Sequence, residues 1–254
     1  MKLFGLIGQT LKNSFSKDYF NQKFDRLSLP CRYENYELES MADFRQLLSD
    51  QPTLCGLNVT IPYKQRIIPY LNFIDNSALK TGAVNCVTIY KDEHNNIMLK
   101  GFNTDVYGFE ISLLNFIKPL APRDRSGIIF GTGGAAKAVC YVLNKLKIPF
   151  IQVGRNADNN NHILYENLTE ELIGSNHILI NCTPVGMYPD ELKLLPLPYH
   201  AISKNHYCYD LIYLPAQTTF LSAAIQQHAH TKNGLEMLHL QADKAFEIWM
   251  KEEK

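Results

Sequence analysis

Short apolar runs alternate with amphipathic stretches along most of this chain. Residues 3–7, 54–59 and 127–130 are apolar runs of the length expected for buried strands. Residues 135–146 and 236–250 instead repeat apolar positions at helical spacing. Strands and helices that alternate in this way are typical of parallel sheets covered by helices, so the pattern predicts an α/β fold.

The same pattern predicts the remaining elements and shows a change in the spacing of strands and helices midway along the chain. Further strands are predicted at residues 32–38, 83–90, 97–101, 150–153, 177–181 and 207–212, and further helices at residues 42–48, 104–117 and 219–228. Thr104 is expected to cap the helix that follows it, with Asp105 in the first turn. Residues 118–126 contain two prolines and mixed charges, which indicates a connector. The strands after this connector have the spacing of a doubly wound nucleotide-binding domain.

Composition excludes several function classes. The 254 residues include 25 Lys and Arg and 25 Asp and Glu, so the formal net charge is zero and provides no global field for nucleic acid or anionic lipid. No run of about 18 apolar residues is present, so we expect no membrane span. The short apolar start of the chain lacks the features of a signal peptide, and we expect a cytoplasmic protein.

The six cysteines and eight histidines do not form recognisable sites. No two cysteines have Cys-x-x-Cys spacing, and several lie in strand-like runs, so we expect reduced and mostly buried thiols. The closely spaced His228 and His230 lack a neighbouring carboxylate or cysteine that would complete a metal site. We therefore predict no bound metal.

A glycine-rich turn follows the predicted strand at 127–130. Gly131, Gly133 and Ala136 form a G-x-G-x-x-A motif between a strand and a helix, which is the context of a dinucleotide-binding motif. In such a motif the first glycine forms the turn, the second lets the backbone approach a pyrophosphate, and helix N–H groups bind the phosphate. The predicted dinucleotide contacts are Gly131, Gly133, Gly134 and Ala135. A plain tight turn is the alternative interpretation.

Arg155 follows the next predicted strand and lies 24 positions after Gly131. A carboxylate about 20 residues past the glycines would bond the ribose hydroxyl of NAD, whereas an arginine pairs with the 2′-phosphate of NADP. This position therefore predicts NADP(H) as the cofactor. A solvated surface arginine is the alternative.

Seven short polar motifs occur in order along the chain. They are Ser14-Phe15-Ser16, Asn58 to Lys64 (NVTIPYK), Gly82 to Asn85 (GAVN), Gly101 to Asp105 (GFNTD), Asn181 to Met187 (NCTPVGM), Asp210 to Pro215 (DLIYLP) and Gly234 to Ala242 (GLEMLHLQA). In this order they resemble the shikimate dehydrogenase family, and the resemblance extends from about Gly5 to Trp249. The chain departs from the family pattern at several positions: Gly154 and Asn156 replace Asn and Thr, Cys86 replaces Thr, Lys17 stands where the family usually has Pro, and a second basic residue after Arg155 is absent.

The resemblance implies an NADPH-dependent, reversible reduction of 3-dehydroshikimate to shikimate. It also implies a substrate-binding domain of residues 1–103, completed by a C-terminal helix at 236–254, and a Rossmann-type NADP-binding domain of residues 104–235. Lys64 and Asp105 match the catalytic pair of the family. The matching substrate residues are Ser14, Ser16, Thr60, Asn85, Tyr213 and Gln241, and the matching cofactor residues are the glycine loop, Arg155, Thr183, Leu211 and Gly234.

The chemistry of these residues suits the implied reaction. Serine hydroxyls at 14 and 16 can donate to a carboxylate, and Lys64 can give a proton to a ketone oxygen while its ammonium stabilises the developing negative charge. Gln241, on a largely apolar helix face, needs polar partners. Structural alternatives exist: Lys64 at the surface, Asp105 at a helix start, the serines as a helix cap and Tyr213 in a core.

Two alternative functions remain open from the sequence. One is a quinate/shikimate dehydrogenase that uses NAD, and the other is a catalytically silent paralogue that binds NADP or a cyclic acid. The sequence also leaves open whether the protein is a monomer or a homodimer.

Overall fold

The chain forms two compact units, each with its own six-stranded sheet. The N-terminal unit consists of Met1–Thr104 and Ala242–Lys254, and the central unit consists of Asp105–Gln241. This computed structural model describes residues 1–11, 14–156 and 162–251. The boundaries lie within a few residues of the predicted domain limits, and the assignment of substrate and cofactor to the two domains stays a prediction.

The N-terminal unit is a mixed α/β layer structure. Its strands are β1 (Lys2–Gly8), β2 (Cys31–Glu37), β3 (Leu54–Val59), β4 (Phe73–Ile74), β5 (Cys86–Lys91) and β6 (Ile97–Phe102). Its helices are α1 (Phe15–Arg26), α2 (Phe44–Asp50), α3 (Tyr63–Arg66), α4 (Asn76–Thr81) and the 3₁₀ turns Met41–Asp43 and Ile68–Tyr70. The sheet order is β2-β1-β3-β5-β6-β4, with β5 antiparallel to its neighbours and the other pairs parallel. β1, β3 and β6 therefore run in the same direction.

Apolar side chains alternate between the two faces of this sheet. Along β1, Phe4 belongs to one buried cluster and Ile7 to the other. The C-terminal half of α9 (Leu235–Lys251) covers the first face, where Trp249 stacks on Phe4 with 4.9 Å between ring centroids. Gly56 makes this approach possible, because a Cβ at that position would overlap the indole ring.

The central unit alternates strands and helices throughout. Its strands are β7 (Gly127–Phe130), β8 (Phe150–Gly154), β9 (His162–Leu164), β10 (Ile178–Asn181), β11 (Tyr207–Asp210) and β12 (His230–Lys232). Its helices are α5 (Thr104–Phe116), α6 (Gly134–Lys145), α7 (Glu170–Ser175), α8 (Thr219–Gln226), the first part of α9 and the 3₁₀ turns Pro122–Asp124, Tyr165–Asn167 and Tyr199–Ala201.

Every paired strand in the central sheet is parallel to its neighbour. The order is β9-β8-β7-β10-β11-β12, so the direction in which strands are added reverses between β7 and β10. This is the doubly wound order of nucleotide-binding domains, and ligands bind at the carboxyl ends of the strands beside such a switch point. Ile129 of β7 packs on the α5 and α6 side, and Ile128 and Phe130 pack on the opposite side.

Most of the predicted elements are confirmed, with shifted boundaries. The helix predicted at 42–48 is a 3₁₀ turn followed by α2, the strand predicted at 83–90 begins at Cys86, and the connector at 118–126 contains a short 3₁₀ turn. The strand predicted at 207–212 ends at Asp210, because the Asp210 carboxylate accepts the Ile212 N–H and turns the chain. Elements that the sequence analysis did not predict include α1, α4, α7, β4, β9 and β12.

No helix among the described residues is both long enough and apolar enough to span a membrane.

Candidate functional site

The predicted substrate residues of the N-terminal unit follow or precede strand ends at one edge of its sheet. Ser14 and Ser16 follow β1, Thr60 and Lys64 follow β3, and Asn85 immediately precedes β5. Because β5 is antiparallel to β3, its amino end lies at the edge where the carboxyl ends of β1 and β3 lie. The topology therefore collects hydroxyl, amide and ammonium groups at a single edge, which could bind a polyhydroxylated acid.

Ser14 is the N-cap of α1. Its hydroxyl oxygen accepts the backbone N–H of Ser16 at 3.3 Å, and both side chains are half-buried. The helix-cap interpretation therefore holds for Ser14. It leaves the substrate role open, because a hydroxyl that accepts one hydrogen bond still has its own hydrogen to donate.

Asn85 organises the start of α5. Its side-chain carbonyl accepts the Thr104 backbone N–H at 2.7 Å, and its amide lies 3.0 Å from the Thr104 hydroxyl. Both residues are buried. Thr104 is the first residue of α5, and the Asn85 side chain accepts its backbone N–H; the capping role of the Thr104 side chain stays a prediction. Asp105 follows directly, in the first turn.

Lys64 lies in α3, a short helix that begins at Tyr63, directly after the 58–62 segment. Its side chain is half-buried, and its backbone carbonyl accepts the Val84 N–H at 2.7 Å. The Thr60 N–H donates to the Ile7 carbonyl of β1 at 2.9 Å. These backbone contacts fix Thr60 and Lys64 relative to the sheet edge, so Lys64 is not a freely solvated surface lysine.

Gly108 and Gln241 mark a close approach of α5 and α9 within the central unit. A Cβ at Gly108 would lie 2.6 Å from the Met237 carbonyl oxygen and 3.0 Å from the Gln241 nitrogen, so the two helices meet backbone to backbone. Gln241 is half-buried, and its side-chain amide donates to the Leu238 carbonyl at 3.0 Å. The sequence analysis missed Gly108, although a glycine inside a helical pattern is a recognised sign of close packing.

The glycine turn of the central unit has the geometry that the motif predicts. Gly131 has φ +108°, a value that side chains rarely allow, and a Cβ there would lie 3.0 Å from the Thr183 methyl group. The Gln152 side-chain amide donates to the Gly131 carbonyl at 2.7 Å. The turn is thus held by β8 on one side and by the segment after β10 on the other.

The backbone at Gly133 and Gly134 borders open space. Gly133 is the N-cap of α6 and Gly134 is its first residue, and among residues 1–11, 14–156 and 162–251 no heavy atom would lie within 4 Å of a Cβ at either position. The amino end of α6 presents unpaired N–H groups there, which together with the helix dipole attract a phosphate. The fold itself does not require glycine at these two positions, so their lack of side chains fits the close approach of a dinucleotide pyrophosphate.

Arg155 follows the carboxyl end of β8 and is exposed. It makes no ion pair with another of the residues that the structure describes, and its charge acts on the phenol of Tyr165. Asp158, the nearby acidic residue in the sequence, lies outside the described residues. Arg155 is therefore placed at the strand end where a 2′-phosphate would bind, and its use there stays a prediction.

Thr183, Leu211 and Gly234 lie at the carboxyl side of β10, β11 and β12. The backbone of Gly234 packs on that of Leu211 so closely that any Cβ would overlap the Leu211 carbonyl, and its N–H donates to the Ile212 carbonyl at 3.0 Å. Tyr213 is 38% exposed, which excludes the core-packing alternative for this side chain.

Asp210, at the end of β11, is fully buried. Burial raises the pKa of this carboxyl group from 3.8 to about 6, and hydrogen bonds from Thr218, Ile212 and Asn181 limit the rise. Burial holds the pKa values of the neighbouring Cys182 thiol and Tyr199 phenol above their ordinary values. Neither of these two groups therefore releases a proton between pH 4 and about 6, where Asp210 titrates.

The free energy of unfolding should fall as the pH rises through this window. Between pH 4 and about 6 the folded chain retains a proton on Asp210 that the unfolded chain has released, so raising the pH favours unfolding by up to about 3 kcal/mol. Urea unfolding of the parent and of Asp210→Asn from pH 4 to 7 measures this contribution as a difference. A difference that does not change with pH would contradict the assignment.

No group of His, Cys, Asp or Glu within residues 1–11, 14–156 and 162–251 is arranged to hold a metal ion. All six cysteines are free thiols. Cys86 and Cys208 are buried, the other four are half-buried, and none of the six is exposed.

Comparisons with known proteins agree on one family. Residues 6–87 match the model of the shikimate dehydrogenase substrate-binding domain. A shikimate dehydrogenase (NADP⁺) of Clostridium beijerinckii is 37% identical over 257 residues, which cover 98% of this chain and 92% of that protein.

Solved structures have the same architecture. Shikimate 5-dehydrogenase of Thermus thermophilus in complex with NADP(H) and shikimate has a TM-score of 0.82 and 26% identity, covering 99% of this chain and 94% of that one. Quinate dehydrogenase of Corynebacterium glutamicum in complex with NAD has a TM-score of 0.86 and 27% identity, covering 98% and 94%. The predicted fold class, an α/β substrate-binding domain with a Rossmann-type domain, is confirmed.

Proposed function

We propose, because this chain belongs to the shikimate dehydrogenase family, that it catalyses the NADPH-dependent, reversible reduction of 3-dehydroshikimate to shikimate. The observation that carries the proposal is the 37% identity to an NADP⁺-dependent shikimate dehydrogenase over 98% of the chain. The predicted oxidoreductase class and NADP cofactor are those of this family. The open backbone at Gly133 and Gly134 fits that cofactor.

The polar edge of the N-terminal unit supplies the substrate groups in this proposal. The Ser14 and Ser16 hydroxyls bind the substrate carboxylate, with neutral donors that release the product easily. In this proposal Thr60 and Asn85 of that edge bind the ring hydroxyls, and Tyr213 and Gln241, which belong to the central unit, are the further substrate residues that the family resemblance implies. Such polar sites discriminate well, because a substrate that lacks a hydroxyl leaves a buried group without its partner.

Lys64 is the proton donor for the reduction. Bound NADPH supplies the hydride to the carbonyl carbon. Lys64 gives its proton to the carbonyl oxygen, and its positive charge stabilises the negative charge that develops there. Asp105 acts as the carboxylate partner of this lysine, and in the reverse direction Lys64 takes the hydroxyl proton back.

The two units divide the ligands between them in this proposal. The N-terminal unit binds the cyclic acid, in agreement with the match of residues 6–87 to a substrate-binding domain, and the central unit binds NADP(H). We further propose a cytoplasmic monomer or homodimer that binds neither nucleic acid nor membranes. The equal numbers of acidic and basic residues and the six free thiols support this part of the proposal.

A quinate/shikimate dehydrogenase that uses NAD is the second candidate. The TM-score of 0.86 to a quinate dehydrogenase with bound NAD favours it, as do the departures Gly154 and Asn156 around Arg155. Rates of NADP⁺ and NAD⁺ reduction with shikimate and with quinate separate the two candidates. Shikimate with NADP⁺ should give the highest kcat/KM. No reduction with either acid would overturn both candidates and favour a silent paralogue.

Arg155→Ala should weaken the preference for NADP⁺. Loss of a charge-assisted contact to the 2′-phosphate is expected to raise KM for NADP⁺ about 10- to 100-fold and to leave KM for NAD⁺ within about twofold. Steady-state kinetics with both cofactors measure the change, and Arg123→Ala, at another exposed arginine of the central unit, is the control. Equal changes for both cofactors would show that Arg155 does not bind the phosphate.

A further inference from the structure

Asn181 and Asp210 end neighbouring strands of the central sheet. They are register partners at the carboxyl ends of β10 and β11, and both are fully buried. The Asn181 side-chain amide donates to Asp210 Oδ1 at 3.0 Å. A polar pair at this depth requires satisfied hydrogen bonds, because an unpaired buried polar group is costly.

Asp210 joins the segment after β11 to the start of α8. Its Oδ1 also accepts the Ile212 N–H at 3.0 Å, and its Oδ2 accepts the Thr218 hydroxyl at 2.6 Å. Thr218 is fully buried and is the N-cap of α8, where its oxygen accepts the Leu221 N–H at 3.3 Å. Asp210 thus accepts hydrogen bonds from three directions and fixes the chain from 210 to 218.

Asn181 fixes the segment after β10 in the same way. Its side-chain carbonyl accepts both the backbone N–H of Thr183 at 2.9 Å and the Thr183 hydroxyl at 2.7 Å. Its amide also donates to the Val185 carbonyl at 3.3 Å. A Cβ at Gly131 would lie 3.0 Å from the Thr183 methyl group. The segment after β10 therefore packs closely against the glycine turn.

We propose that Asn181, Asp210 and Thr218 are positioning residues that hold the segments after β10 and β11 for the nicotinamide half of NADP(H). This inference rests on the proposed function. In a doubly wound sheet each half of the strands binds one mononucleotide. The Arg155 side, with β7 to β9, binds the adenosine half, so β10 to β12 and the segments that follow them bind the nicotinamide half.

The proposal predicts a selective loss of affinity. Thr218→Val removes the donor to Asp210 Oδ2 with little change of shape, and it should weaken NADP⁺ binding about tenfold. Adenosine 2′,5′-bisphosphate, which lacks the nicotinamide half, should bind within about twofold of the parent. Isothermal titration with both ligands measures the difference between the two losses, and KM for NADP⁺ should rise in parallel with the loss of NADP⁺ binding.

Two further threonine variants separate positioning from helix capping. Thr169 caps α7 through a 3.2 Å bond to the Leu172 N–H and is outside the network, so Thr169→Val loses a cap of the same kind and should bind both ligands as the parent does. Thr218→Ser keeps the hydroxyl and should restore NADP⁺ binding. Asn181→Asp, which places a second carboxylate against Asp210, provides an independent variant with the same expected selectivity.

The outcomes are distinct. Equal losses for NADP⁺ and the bisphosphate, no loss in Thr218→Val and Asn181→Asp, or a matching loss in Thr169→Val would overturn the positioning role. A parent that binds NADP⁺ without oxidising shikimate would overturn the proposed function. The difference between the losses of affinity for NADP⁺ and for the bisphosphate would then decide this inference. A parent that binds no NADP⁺ would overturn both.

Discussion

Lys64→Ala is expected to lower kcat for shikimate oxidation by about 100- to 10,000-fold, the range for loss of a general acid–base group. The variant loses the neutral amine that accepts the hydroxyl proton, and with it the positive charge that the amine carries once protonated. KM for shikimate should change much less, since the hydroxyl and amide groups around Lys64 still bind the ring. Absorbance of NADPH at 340 nm, followed at saturating NADP⁺ while the shikimate concentration is varied, gives both constants.

Two control variants separate the contributions of Lys64. Lys64→Arg retains a charge but holds its proton too tightly to transfer it, so its kcat should lie between those of the parent and Lys64→Ala. Arg66→Ala removes an exposed cation from the same short helix and should leave kcat within about twofold. If Lys64→Ala keeps parental kcat, Lys64 is not catalytic.

Gly133→Val should raise the Kd for NADP⁺ about 10- to 100-fold with little effect on stability. The backbone of Gly133 has φ −78° and ψ −172°, an extended conformation that valine adopts readily, and no heavy atom of the residues that the structure describes lies within 4 Å of the added Cβ. The side chain would occupy space that the bound pyrophosphate needs, at a cost of about 1–3 kcal/mol of binding free energy.

Gly131→Val provides the contrast. It forces a branched side chain into a positive φ and against the Thr183 methyl group, so it should reduce the free energy of unfolding by about 1–3 kcal/mol as well as binding. Urea unfolding and titration with NADP⁺ measure the two effects. If Gly133→Val binds NADP⁺ like the parent, the open space beside Gly133 is not the cofactor site.

The strongly periodic parts of the chain were predictable from the sequence. The apolar runs at β1, β3, β7 and β10 are buried in the structure. Strands that are buried on both faces of a sheet have continuous apolar sequences, so these strands could be recognised from the sequence. The glycine turn after β7 was also predictable, because Gly131 needs a positive φ that only glycine adopts freely.

Other elements gave weaker signals. α1 buries only Phe20 and Phe24 among mostly polar residues, and β4 and β12 are two and three residues long. Such elements are stabilised mainly by tertiary contacts with neighbouring elements. In α1, for example, the Asn21 side-chain amide donates to the Tyr33 carbonyl of β2, and the Asn21 side-chain carbonyl accepts the Tyr33 N–H. A single sequence does not show these tertiary contacts.

The residue types of the candidate site could be predicted from the sequence, but the hydrogen bonds that hold the site residues could not. Asn85 was assigned to the substrate, and its observed bonds to Thr104 show that it also organises the start of α5. The Asn181–Asp210–Thr218 network was not predicted, because Asn181 and Asp210 are 29 positions apart and meet through strand register, and Thr218, 8 positions after Asp210, meets it through the turn that leads into α8. Spacing along the chain reveals helix and strand periodicity, not contacts of this kind.

The central claim is that Lys64 and Asp105 act as one catalytic unit, and a double-mutant cycle on kcat tests it most directly. When two residues act as one unit, removal of the first already abolishes the contribution of the second. The double variant Lys64→Ala with Asp105→Asn should therefore have about the same kcat as Lys64→Ala alone. If the fold reduction of kcat in the double variant equals the product of the two single reductions, the two residues act independently and this account is contradicted.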